Sequence, residues 1–146
     1  MPATFNHVAH CVTDLDRSRR FYQELLGFEM VLELRPPDQP TDRLLRLDAP
    51  LGMTAVYLRR DGLMLELMSF DRPGNPPVPD RVVNEPGLTH LSFSVDDIDA
   101  TAARAAELGG EVLADTHVGG AVFVRDPDGQ LIELLPMSFR KLFEGR

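Results

Sequence analysis

The sequence predicts an α+β fold made of two βαβββ modules that form a cupped, barrel-like mixed sheet with helices outside. Three observations carry that prediction. Residues 6–27 laid on residues 89–110, a shift of 83, pair His7 with His90, Val12 with Val95, Asp14 with Asp97, Asp16 with Asp99, Leu25 with Leu108 and Gly27 with Gly110. A shift of 67 lays residues 61–67 on 128–134 and pairs Glu66 with Glu133. Between these matched ends, short apolar runs are separated by Gly, Pro and Asp punctuation, the pattern of strands joined by tight turns. The shifts differ by 16 residues, so one connection is longer in the first copy.

Each element follows in order. Residues 5–12 are a strand-length apolar run, and Asp14 is placed to cap a helix over 15–26 that Gly27 stops in a left-handed conformation. Residues 28–34 read as a strand, Pro36–Thr41 as a Pro-rich break, and Leu44–Leu47, 54–60 and 63–69 as further strands, the last two joined by a hairpin turn at Arg60-Asp61-Gly62. The first module is residues 5–70. Five prolines in 71–87 exclude a central strand or helix interior and mark a linker. The second module, 88–136, repeats the order: a strand, a helix through Ala102 to Leu108 stopped by Gly109-Gly110, and strands near 111–114, 121–125 and 131–135. Asp126-Pro127-Asp128-Gly129 is a turn signal. In the tail, 137–146, Phe139, Leu142 and Phe143 stand at helical spacing. With 146 residues the two modules make halves of a single domain.

The net charge of −8 and pI near 4.9 argue against nucleic acid, whose phosphates need clustered Lys and Arg. No apolar run is long enough for a bilayer span, so no membrane partner is expected. The lone Cys11 excludes an internal disulfide, and no leader-like pattern opens the chain, so the sequence predicts a cytoplasmic protein.

Strand alternation places Ala9 and Cys11 on the side of His7, and Ser92 and Ser94 on the side of His90. Met64 and Met68 share the face of Glu66, while Leu65 and Leu67 take the other; Leu131, Leu135, Ile132 and Leu134 divide likewise around Glu133. Both carboxylates are thus embedded in runs that otherwise read as core, where an uncompensated charge costs several kcal/mol. A divalent cation held by His7, Glu66, His90 and Glu133 would compensate both, and Zn, Ni, Co, Mn and Fe all accept such donors. His10 falls on the opposite face and is expected to pack. His117 is expected in an exposed loop, Phe21 and Tyr22 in the core, and Arg17, Arg19 and Arg20 on a solvated face.

Asn6-His7-Val8-Ala9, Thr13-Asp14-Leu15-Asp16-Arg17-Ser18, residues 21–28, 87–93 and 95–98, and Asp126 through Leu134 together resemble the vicinal oxygen chelate superfamily over residues 5–136. The resemblance implies paired βαβββ modules around one metal site, a small-molecule substrate and a homodimer. Glyoxalase I uses a ligand at each of four module positions, occupied here by His7, Glu66, His90 and Glu133, so the chain is similar to that four-ligand branch. Fosfomycin-resistance transferases and extradiol dioxygenases use the equivalents of His7, His90 and Glu133 only. The resemblance implies a metal-dependent lyase or isomerase that stabilises an enolate, with Glu66 or Glu133 as base. A non-heme iron dioxygenase and a non-enzymatic antibiotic- or metabolite-binding protein are the alternatives. Cys11 stands where bacterial glyoxalase I carries an Arg for the glutathione carboxylate, which argues against glutathione as the thiol.

Overall fold

The computed structural model describes residues 1–71 and 82–145. It divides into two compact units, Met1–Pro76 and Pro77–Arg146. The first carries β1 (Val8–Cys11), α1 (Leu15–Leu26), β2 (Glu29–Leu34), α2 (Asp38–Leu45), β3 (Met53–Arg60) and β4 (Leu63–Phe70). The second carries β5 (His90–Val95), α3 (Ile98–Glu107), β6 (Glu111–Val118), β7 (Ala121–Arg125), β8 (Leu131–Pro136) and α4 (Met137–Arg140), then a 3-10 turn, Lys141–Phe143. Each unit has one four-stranded mixed sheet, ordered β1-β4-β3-β2 and β5-β8-β7-β6. The α+β class and the two similar modules are as the repeats predict. Most of the linker read at 71–87 falls on residues 72–81, outside those described.

In both units the first strand runs parallel to the last, with Ala9 opposite Glu66 and Ser92 opposite Glu133. Parallel neighbours need a crossover connection, which here begins with a helix whose start is set by an Asp in each copy. Asp14 accepts a hydrogen bond from the Arg17 amide at 3.0 Å, and Asp97 from the Ala100 amide at 2.9 Å. Gly27 ends α1 at φ 70°, a conformation that a side chain makes costly. The β3–β4 hairpin turns through Asp61 and Gly62, both at positive φ, the two-residue geometry that matches strand twist. Leu65 and Leu67 on β4, and Ile132 and Leu134 on β8, are fully buried, as alternation predicts. Phe21 and Tyr22 of α1 are core residues.

The strand expected at Leu44–Leu47 does not form, and the Pro-rich break is shorter than expected. Residues 38–45 instead make a kinked helix, with Gln39 and Pro40 at non-helical angles. Proline restricts the residue before it but is tolerated in a first helical turn, so Pro40 bends this helix without preventing it. Arg46, left-handed at φ 57°, ends the helix and splits the apolar run that suggested a strand. Leu45 packs against the cluster of Leu51, Met53 and Ala55. The first strand is also shorter than residues 5–12, so His7 stands just before β1. Conversely β6 extends to Val118, and His117 lies in a strand rather than a loop.

Candidate functional site

The first unit brings His7 and Glu66 together. Glu66 sits mid-strand on β4 between Ala9 of β1 and Tyr57 of β3, and it is 6% exposed. His7 Nε2 is 2.9 Å from Glu66 Oε2, and its Nδ1 is in hydrogen-bond contact with the Asn6 side-chain oxygen. The Tyr57 hydroxyl donates to Glu66 Oε1 at 2.9 Å, and its ring meets the His7 ring edge to face, centroids 5.5 Å apart. Burial, and then the hydrogen bond to Glu66 and that carboxylate's charge, push the Tyr57 phenol up to about 12.

The second unit builds the same arrangement with different partners. His90 opens β5, with Nδ1 2.8 Å from the Thr89 hydroxyl and Nε2 3.7 Å from Glu133 Oε2. The ring beside it is Phe123, centroids 5.3 Å apart, which has no hydroxyl to give. Ser92, at the place of Ala9, supplies the donor instead, its Oγ 2.7 Å from Glu133 Oε2. The expectation that each carboxylate is embedded in core therefore holds for Glu66 more than for Glu133. Glu133 is half-buried, with 26% of its side chain exposed, because its short partner leaves one oxygen open.

These donors suit a cation. His7 turns Nε2 toward a Glu66 carboxylate oxygen while its other ring nitrogen is held beside the Asn6 side-chain oxygen. A ring nitrogen and a carboxylate oxygen in such contact can hold a proton between them or ligate one metal ion together. A separation of roughly 3 Å is also that of adjacent donors at right angles on a metal bonded at about 2.1 Å. Ligating histidines commonly have the second nitrogen held in this way. Within either unit the His–Glu pair has no third His, Cys, Asp or Glu beside it among the described residues. Each pair alone thus falls short of the three or four protein ligands that such centres use.

A cavity of about 300 Å³ opens beside His7, Tyr57 and Glu66 in the first unit. Leu34, Leu44, Leu45, Met53 and Met68 supply most of its remaining wall. Two of these come from α2, an element the second module lacks.

The other sequence candidates lie elsewhere. His10 faces α1, its ring 6.3 Å from that of Tyr22. His117 Nε2 is 3.1 Å from Asp99 Oδ1 on α3. Cys11 is exposed. Arg19 and Arg20 pair with Asp16 and Glu24 on the outer face of α1. Tyr57 and the α2 wall were not anticipated. A two-residue turn at Asp61-Gly62 sets Arg60 opposite Leu63, and counting back three residues puts Tyr57 opposite Glu66, so its place was readable from the hairpin.

Comparison with known proteins bears on the chain as a whole. A family model described as the Glyoxalase/Bleomycin resistance protein/Dioxygenase superfamily matches residues 4–134. The uncharacterized protein YaeR of Escherichia coli is 32% identical over 133 residues, spanning 88% of this chain and 92% of that protein. A probable lactoylglutathione lyase of Synechocystis is 28% identical over 146 residues, spanning 92% and 96%. The crystal structure of a glyoxalase family protein from Bacillus cereus superposes with a TM-score of 0.74 at 22% identity, covering 92% of this chain and 93% of that one.

Proposed function

The chain belongs to the Glyoxalase/Bleomycin resistance protein/Dioxygenase superfamily, and from that premise we propose that it is a metal-dependent lyase or isomerase of glyoxalase type, acting on a small oxygenated carbonyl substrate. The observation that carries this reading is the repeated His–Glu contact, each His having its second nitrogen engaged. The ligands we propose are His7, Glu66, His90 and Glu133. A divalent ion bound by them, one of Zn, Ni, Co, Mn or Fe, supplies Lewis-acid stabilisation of an enolate or oxyanion.

The protein's own groups divide the remaining work. Glu66, held by His7 and Tyr57 and nearly buried, is the anchored carboxylate. Glu133 is more exposed, has a single hydroxyl donor and stands 3.7 Å from His90, so it has room to turn. It is the base that takes the proton from the carbon next to the substrate carbonyl and returns it to the adjacent carbon. Cys11 offers no charge to a thiol tripeptide's carboxylate, which argues against a glutathione adduct as the substrate. The protein acts as a homodimer in the cytoplasm.

The test is solvent exchange. Metal-replete protein in deuterium oxide is expected to exchange the α-proton of one or more members of a panel of α-hydroxy and α-keto compounds. Absence of exchange across the panel would overturn the reading. The dioxygenase alternative leaves Glu66 without a role, and oxygen uptake by Fe(II)-loaded protein with a catechol panel would favour it instead.

A further inference from the structure

We propose that the cavity under α2 seats an uncharged hydrocarbon substituent of the substrate, so that the preferred substrates are carbonyl compounds bearing a phenyl ring or an alkyl chain of about five to eight carbons. The proposal rests on the functional reading above and names its substrate class. Three observations support it. First, the cavity measures about 300 Å³, roughly twice the ~150 Å³ that admits a benzene ring. Second, its chemistry is polarised. His7, Tyr57 and Glu66 gather where the carbonyl oxygens would lie, and Thr41 is the other polar lining residue. Among the described residues no Lys or Arg lines it, so a carboxylate in the substituent would meet the charge of Glu66 without a counter-ion there. Met53 and Met68 give the wall an adaptable surface suited to chains of different length.

Third, the cavity interrupts the internal symmetry. The second module closes β6 onto β7 through Gly119 and Gly120, whereas the first spends the corresponding connection on α2. Leu44 of α2 remains 81% exposed while it lines this space, and Leu34 on β2 is 49% exposed. Large apolar side chains held open around a polar end suit a ligand better than they suit a folded core.

The test is calorimetric binding of neutral vicinal diketones, from 2,3-butanedione through 2,3-decanedione, together with 1-phenyl-1,2-propanedione and, as a charged comparator, 2-oxoglutarate. The full chain is used both zinc-loaded and after chelator treatment. Each added methylene is expected to tighten binding about three- to fourfold until the cavity is full, in both forms of the protein. 2-Oxoglutarate gains nothing from its length. Leu45→Gln flattens the dependence, and Leu44→Gln, at an exposed position that spares the fold, does so too. Affinity independent of chain length, or a length dependence untouched by Leu44→Gln, would overturn the proposal. A length dependence in protein that takes up no metal would sustain the cavity while removing the metal-based reading.

Discussion

Replacing Tyr57 by Phe removes one oxygen and tests the anchoring of Glu66. The hydroxyl donates to Glu66 Oε1 at 2.9 Å, and the acceptor is 6% exposed. A hydrogen bond to a charged group contributes about 1.5–3 kcal/mol. Tyr57 is only partly buried, so water replaces some of the lost contact and the expected cost falls to about 1–1.5 kcal/mol. For a chain of this size that lowers the melting temperature by roughly 3–5 °C. The phenol is raised from its usual 10 to about 12 by burial and by the hydrogen bond and charge of Glu66. The folded chain therefore holds a proton that the unfolded chain loses above pH 10. The stabilisation is fully present below pH 10 and is lost as pH rises from 10 toward 12. Urea unfolding of chelator-treated wild type and Y57F at pH 8, 10 and 11 measures the difference at each pH. With two Tyr and no Trp, the tyrosinate absorbance follows Tyr57 beside the core residue Tyr22. Equal stability at pH 8, or a gap that does not close with rising pH, would refute the reasoning.

Further outcomes follow from other contacts. Asp126, 3% exposed, accepts the amides of Asp128 and Gln130 at 2.9 and 2.8 Å, so Asp126→Ala is expected to cost about 2–3 kcal/mol by urea unfolding. Gly27→Ala is expected to cost about 1–2 kcal/mol, because φ is 70° and a Cβ would come within 2.9 Å of the Arg60 guanidinium, which must leave its bond to the Gly27 carbonyl; a Tm unchanged from wild type would contradict this. Glu133→Gln at saturating metal is expected to slow α-proton exchange at least ~100-fold, and an unaltered exchange rate would remove Glu133 as the base.

Much of this architecture could be read from residues. Asp14 and Gly27 announced the ends of the first helix, and the alternation around Glu66 and Glu133 separated helix-side Leu and Ile from the open face. Pro40 misled because a proline that excludes a helix interior also suits a first turn, and only the packing of Leu45 on Leu51, Met53 and Ala55 decides between those roles. His117 was misplaced because Gly119-Gly120 reads as a loop although the turn occupies only those residues between β6 and β7. The matched carboxylates looked equivalent in sequence. Their difference comes from cross-strand neighbours, Tyr57 against Phe123 and Ala9 against Ser92, which depend on register.

The central proposal is that His7, Glu66, His90 and Glu133 are ligands of a divalent ion. Cobalt(II) titration of chelator-treated protein, followed by visible absorption and competition with a chelator, tests it most directly. The account predicts one ion per chain, with His7→Ala and His90→Ala each weakening binding at least ~10-fold. Absence of binding, or cobalt bound equally well by both variants, would contradict it.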